Sequence, residues 1–143
     1  MIPNFCRDDF SVIGHYLGRI LAFFPILLAV PLAVGVLLGE WDPVLSFATA
    51  SSVSLAVGLL LLSLFPRRED LNWRQGMTLV SFTWFLLMPV SAVPLYMSGH
   101  YGCMLDACFE AMSAYATTGL VLVRDVDHMA VSLNVWRHFM CFI

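Results

Sequence analysis

Three long runs without Asp, Glu, Lys or Arg constrain this chain more than any other feature. The first extends from residue 20 to residue 38, the second from 44 to 65, and the third lies between Arg74 and Asp106. The nineteen residues of the first run, as a helix, extend for about 28 Å, close to the roughly 30 Å hydrocarbon core of a bilayer. Each run is therefore predicted to be a transmembrane helix, and the third is expected to end near Gly99.

The composition is that of a membrane protein. Hydrophobic residues make up 60% of the chain and charged residues 12%, whereas a soluble domain has about 45–50% and about 25%. The seven basic residues are all Arg and form no long basic patch, which argues against nucleic-acid binding. The chain contains no nucleophile–base pair, phosphate loop or carboxylate dyad, so we expect neither an enzyme nor a cofactor.

Proline and small residues interrupt the first two runs. Pro25 and Pro31 lie within the first run, and a membrane helix tolerates them where its neighbours bond the backbone groups that proline frees. The second run contains residues that allow close helix packing in lipid. They are Ser46, Thr49, Ser51, Ser52, Ser54 and Gly58.

The arginines predict the orientation. If the predicted helices cross the membrane in turn, four of the arginines fall on the same side: Arg7, Arg67, Arg68 and Arg74. Arg124 falls in a loop on the other side. The positive-inside rule then places the N-terminus and the loop at 66–74 in the cytoplasm.

The region after Gly99 does not fit a simple helical hairpin. Thirteen uncharged residues separate Glu110 from Arg124, too few to cross a bilayer and typical of a re-entrant segment. We expect residues 104–115 to enter as a half-helix and 116–123 to return. The predicted fold is an all-α membrane protein with three full transmembrane helices, one re-entrant pore half-helix with a filter strand, and the start of a fourth transmembrane helix.

The returning segment contains Thr117, Thr118 and Gly119. The C-terminal end of the half-helix carries partial negative charge, and extended backbone at membrane depth exposes carbonyl oxygens that replace a cation's hydration shell. Gly119 permits the dihedral angles that aim carbonyls inward, and the threonine hydroxyls can hold the strand. The alternative is an ordinary turn between two packed helices.

Acidic side chains flank this segment. Asp106 and Glu110 lie four residues apart at the start of the half-helix, and Asp125 and Asp127 follow the strand. Together they predict an acidic outer mouth that attracts cations. Cys103 and Cys108 have no CxxC spacing; they either pair or are two small buried side chains. No metal site is expected other than the cation that the carbonyl oxygens of this segment could bind.

The motif DACFEAMSAYATTGLVLV, followed by SLNVWR, resembles the first pore segment and succeeding helix of the TrkH/KtrB-type (Trk/Ktr/HKT superfamily) potassium transporters, whose usual pattern is roughly D-A-x-F-E-x-x-S-G-F-T-T-T-G, then S-L-L-F-W-R. The upstream stretches GRILAFFPILLAVPLAVGVLLGE and RREDLNWRQGMTLVSFTWFLLMPVSAVPLYMSG resemble the same family in the same order. Ala114 and Ala116 stand where many members have Gly and Thr.

The resemblance implies four membrane–pore–membrane repeats around one potassium path. It makes residues 1–66 an N-terminal two-helix membrane domain, 67–74 a cytoplasmic loop, and 75–143 the first repeat, truncated in its second helix. It also implies a bacterial inner-membrane location, the remaining repeats or a second protomer as partners, and a cytoplasmic nucleotide-binding regulatory subunit. The filter residues carry over onto Thr117, Thr118, Gly119 and Leu120.

Two functions follow from these expectations. In the first, the chain is the N-terminal part of a potassium uptake protein with a carbonyl-lined selectivity filter. In the second, it is a non-conducting membrane subunit or remnant that assembles with or regulates a transporter. Arg137, which the family also has, is expected either to pair with a helix C-terminus or carbonyls, or to extend to the membrane surface.

Overall fold

The computed structural model describes residues 7–66, 71–123, 126 and 128–143, with side chains from residue 9 onward. Its described part contains five helices and no β-strand. The helices are α1 (Arg7–Leu38), α2 (Trp41–Leu64), α3 (Trp73–Met97), α4 (Met104–Tyr115) and α5 (Val131–Met140).

Three of the helices, α1, α2 and α3, are long and apolar enough to span a membrane. The predicted all-α membrane fold is therefore confirmed, with two further, shorter helices of 12 and 10 residues. The bounds of α4 are those expected for the half-helix. In contrast, α1 begins at Arg7, well before the uncharged run at residue 20, because charged side chains end an apolar run without ending a helix.

The proline at residue 25 is accommodated by a hydroxyl from the neighbouring helix. Pro25 has no N–H, so the Leu21 carbonyl one turn earlier loses its usual partner within α1. The Ser54 hydroxyl of α2 donates to that carbonyl at 2.7 Å, and Ser54 is fully buried. The hydrogen bond satisfies a backbone group that lipid would leave unpaired.

Close approach between α1 and α2 depends on glycine. A Cβ added at Gly58 would lie 2.6 Å from the Ala22 nitrogen, and one added at Gly18 would lie 3.0 Å from the Gly58 carbonyl oxygen. Small residues at a helix interface increase van der Waals contact, which is a main source of helix association in lipid. The first two helices therefore form a tight antiparallel pair.

Trp136 of α5 lies at the centre of a buried cluster that draws on all five helices. It is fully buried and packs edge-to-face against Phe24 of α1 and Phe47 of α2, with ring centroids 6.1 Å and 6.2 Å away. Its indole Nε1–H donates to the Ser91 carbonyl of α3 at 3.2 Å. This packing fixes α5 against the three long helices.

The proposed boundaries between residues 1–66, 67–74 and 75–143 stay a prediction. Residues 67–70 lie outside the described part of the chain, and α3 begins at Trp73.

Candidate ion-binding segment after α4

The last turn of α4 leads directly into the non-helical segment 116–123. The Thr118 amide donates to the Ser113 carbonyl at 3.0 Å, and the Thr117 amide donates to the Ala114 carbonyl at 2.9 Å. These two bonds form a Schellman motif, which requires left-handed backbone at the residue after the cap. Here that residue is Thr117, with φ of 52°. A β-branched residue in this conformation is strained.

Ser113 binds the returning segment with both its backbone and its side chain. Its carbonyl accepts a hydrogen bond from the Thr118 hydroxyl at 3.0 Å. Its hydroxyl accepts from the Leu120 amide at 2.8 Å and lies 2.9 Å from the Leu120 carbonyl, to which it donates. Residues 118 and 120 are therefore held against α4 by a single serine.

The four residues expected to form the filter differ in what their carbonyls do. The Leu120 carbonyl is engaged by the Ser113 hydroxyl, so it differs from the free oxygen that we expected. Among the described residues, no hydrogen bond engages the carbonyls of Thr117, Thr118 and Gly119. Gly119 has φ of 72° and open space where a Cβ would lie.

Glu110 and Arg137 form a buried ion pair beside this segment. Glu110 Oε1 accepts from Arg137 Nη2 at 2.6 Å and from Nε at 2.9 Å. The exposed fractions of the two side chains are 4% and 11%. The other carboxylate oxygen, Oε2, accepts from the Leu122 amide at 2.8 Å. The pair thus joins α5, α4 and the end of the returning segment through charge-assisted bonds.

This pairing changes two expectations. Glu110 is buried and its charge is matched by Arg137, so it does not add to an exposed acidic mouth. Arg137 contacts a carboxylate, with Asn134 Oδ1 3.2 Å from its Nη1, rather than a helix C-terminus. A buried carboxylate is the stronger partner for a guanidinium, because a carbonyl offers partial charge only.

Asp106 is the other residue of α4 that was predicted to contribute to an acidic outer mouth. It is half-buried in the first turn of α4, where its Oδ2 accepts from the Cys103 amide at 3.2 Å. It lines a cavity of about 580 Å³ together with Gly99, His100, Tyr101, Gly102, Leu122 and Val123. Asp125 and Asp127 lie outside the described residues.

Tyr101 is buried at the edge of this cavity, and its hydroxyl has no hydrogen-bond partner among the described residues. Burial, and then the negative charge of Glu110, raise the pKa of that hydroxyl. The phenol is therefore neutral at physiological pH. Cys103 and Cys108 both carry free thiols.

Ser113 was not among the residues predicted from the sequence. A signal was present, because Ser113 lies in the last turn of the half-helix, from which a hydroxyl reaches the residues that follow. Nothing local pointed to the partnership of Glu110 with Arg137, since the two residues are 27 positions apart.

No family model matches the chain, but individual proteins do. An uncharacterized cation transporter of Methanocaldococcus jannaschii is 30% identical over 142 residues, which is 99% of this chain and 30% of that protein. The Trk system potassium uptake protein TrkH of Vibrio parahaemolyticus is 27% identical over 92% of this chain and 27% of its own length. The Trk system potassium uptake protein TrkI of Halomonas elongata is 27% identical over 87% of this chain and 25% of its own length.

The chain spans between 25% and 30% of the length of these three relatives. The similarity runs through nearly the whole chain, and it agrees with the three candidate membrane spans. This is a multi-pass membrane protein, and its similarity to these relatives supports a TrkH-type family.

Proposed function

We propose that the chain is the N-terminal part of a potassium uptake protein and contributes residues 117–120 to its selectivity filter. One observation carries the proposal. The non-helical segment is hydrogen-bonded to Ser113 and Glu110, yet the carbonyls of Thr117, Thr118 and Gly119 have no partner among the described residues. The names of the relatives support potassium as the ion.

Preorganisation of the segment favours cation binding. A dehydrated cation needs several oxygens already in place, because oxygens that must first be ordered weaken binding. The hydrogen bonds that the segment forms with Ser113 and Glu110 hold it in place before any ion arrives. The C-terminal end of α4 adds partial negative charge at the same point.

The remainder of the proposal follows from family resemblance. The path is completed by further repeats of the same protein or by a second protomer, and a cytoplasmic nucleotide-binding subunit regulates it. The protein lies in the bacterial inner membrane with its N-terminus in the cytoplasm. Of the loop arginines that support this orientation, Arg67, Arg68 and Arg124 lie outside the described residues.

Rubidium uptake tests the proposal. The chain is expressed alone, and also in place of its matching stretch in the Vibrio relative, in cells that lack their own potassium uptake systems. We expect uptake from the chimaera and its loss in Gly119→Asp, because a carboxylate beside the carbonyls binds the cation too tightly and blocks the narrow path. Gly119→Ser is expected to lower the preference for potassium over sodium by about tenfold or more.

Gly99→Ser is the matched control. Gly99 also has a positive φ, 76°, with open space around its missing Cβ, but it lies outside segment 116–123. The filter assignment is contradicted if the chimaera inserts into the membrane but takes up no rubidium. It is also contradicted if Gly119→Ser leaves the preference for potassium over sodium unchanged. Either result favours the alternative, a non-conducting membrane subunit.

A further inference from the structure

Glu40 occupies a rigid turn between α1 and α2. Its amide donates to the Gly35 carbonyl at 2.9 Å, and the Gly39 amide donates to the Val36 carbonyl at 3.3 Å. These bonds form a Schellman motif with Gly39 at φ of 73°. The Glu40 carbonyl then accepts from the Val44 amide at 3.2 Å, which begins α2. The backbone of Glu40 is therefore fixed by both helices.

The side chain of Glu40 binds the start of α5, far away in sequence. Oε1 accepts from the Val131 amide at 2.8 Å. Oε2 accepts from the Ser132 amide at 3.0 Å and from the Ser132 hydroxyl at 2.5 Å. Two of the amides that every helix leaves unpaired at its N-terminus are thus bonded by one carboxylate, which also complements the helix dipole.

Packing supports this contact. Ser132 is fully buried, and a Cβ added at Gly35 would lie 3.5 Å from both the Cβ and the Oγ of Ser132. Residue 35, in the last turn of α1, is therefore at van der Waals distance from the start of α5. Position and hydrogen bonding therefore fix the same end of α5.

Arg137 lies on the same helix, α5, five residues after Ser132. Because an α-helix is stiff over so few residues, the anchor at residues 131–132 sets the position at which Arg137 meets Glu110. Glu110 in turn bonds the Leu122 amide at the end of the returning segment.

We propose that Glu40 is a positioning residue for the filter: from the turn between α1 and α2, it fixes α5 so that the Arg137–Glu110 pair holds the returning segment in place. This inference rests on the proposed function for its consequence in transport. It assigns to the turn between the first two helices a role in shaping the ion path.

Amide hydrogen exchange on the full chain in lipid nanodiscs tests the inference without any transport. In Glu40→Gln, which keeps the shape but loses the charge and one acceptor, we expect the amides of Val131 and Ser132 to exchange about tenfold faster or more. We expect the Leu122 amide to exchange faster by a similar factor. Ser132→Ala removes only the hydroxyl bond and should give a smaller change in the same direction.

Asp42→Asn is the matched control. Asp42 is an exposed acid two residues from Glu40, so its loss changes the charge of the turn without removing a bond to α5. Faster exchange at Leu122 in Glu40→Gln but not in Asp42→Asn supports the inference. Faster exchange confined to Val131 and Ser132, or no change at any of the three amides, overturns it.

Transport then separates the two proposals. If the chimaera takes up rubidium, Glu40→Gln should lower its preference for potassium over sodium, and an unchanged preference overturns the positioning role. If the chimaera with the unchanged chain takes up none, the proposed function fails. The exchange at Leu122 still decides whether Glu40 positions the segment.

Discussion

At the scale of single residues, Thr117 is the most unusual feature of the candidate site. Its φ of 52° is a left-handed conformation that a Schellman motif usually assigns to glycine. Within the described residues its hydroxyl makes no hydrogen bond, whereas the Thr118 hydroxyl binds the Ser113 carbonyl. A strained residue that does not support the fold is commonly found at a functional site.

Replacing Thr117 with glycine should therefore stabilise the protein. Relief of the left-handed strain gains about 1–2 kcal/mol, and the greater freedom of glycine in the unfolded chain removes about 0.5–1 kcal/mol of that gain. We expect the free energy of unfolding in detergent micelles to rise by about 0.5–1 kcal/mol. Thr118→Gly is the control and should lower it, because it loses a hydroxyl bond and has no positive φ to relieve.

If Thr117→Gly destabilises the protein as much as Thr118→Gly does, the side chain of Thr117 has a structural role and the strain argument fails.

At the scale of elements, the pairing of Pro25 with Ser54 explains how α1 contains a proline without losing its partner helix. The Leu21 carbonyl that proline leaves free is the acceptor for the Ser54 hydroxyl. Each residue alone would lower the stability of the protein, because a carbonyl or a hydroxyl without a hydrogen bond is energetically unfavourable in lipid.

A double-mutant cycle measures this coupling. Ser54→Ala alone should lower the free energy of unfolding by about 0.6–2 kcal/mol, because it leaves the Leu21 carbonyl without a hydrogen bond. In a Pro25→Ala background, the new amide at residue 25 bonds that carbonyl within α1, and Ser54→Ala should cost clearly less. Equal costs in the two backgrounds would show that the hydroxyl does not compensate for the proline.

The elements themselves were largely predictable from sequence, because uncharged runs report directly on membrane spans. The bounds of α4 agreed with the expected half-helix at 104–115. The start of α1 did not agree, since Arg7 and Arg19 lie within the helix. Hydrogen bonds between helices, such as that from Ser54 to the Leu21 carbonyl, could not be predicted. The sequence indicates where each helix lies but not its rotation about its own axis.

The sequence predicted where the candidate site lies along the chain, but not which hydrogen bonds and ion pairs its residues form. The positions of Thr117, Thr118 and Gly119 after the half-helix were expected. The engagement of the Leu120 carbonyl was not, and neither was the burial of Glu110 against Arg137. Both depend on contacts between segments whose separation in space a single sequence does not specify.

At the scale of the whole molecule, residues 1–66 and 75–143 are joined by buried packing around Trp136 and by hydrogen bonds that include those to Glu40. The hydrogen bonds from Val131 and Ser132 to Glu40 connect the turn after α1 to the start of α5. Glu40 lies outside the membrane-spanning stretches, so its protonation depends on the pH of the surrounding water.

Stability should therefore depend on pH through Glu40. Burial raises the pKa of this carboxyl, but the hydrogen bonds from Ser132 and Val131 outweigh that effect and lower it below its ordinary value of 4.5. A lowered pKa means that the stabilisation is fully present above pH 4.5 and is lost as pH falls through the folded-state value. We expect wild type to exceed Glu40→Gln in Tm at neutral pH.

The measurement is the difference in Tm between these two proteins, taken from neutral pH down to about pH 3. Because the other titrating groups are shared, they cancel in the difference. The gap should narrow below pH 4.5. A gap that stays constant over this range would mean that the charge of Glu40 contributes nothing to the contact.

The long separation between Glu40 and its partner has a consequence for biosynthesis. Val131 follows Glu40 by 91 residues, so at about 5–20 residues per second the ribosome delivers the partner roughly 5–18 s later. During that interval the pair of α1 and α2 must persist on its own contacts, with the carboxylate facing water. The hydrogen bonds to Glu40 then form only after the start of α5 has emerged, and the segment after α4 acquires its final geometry only at that point.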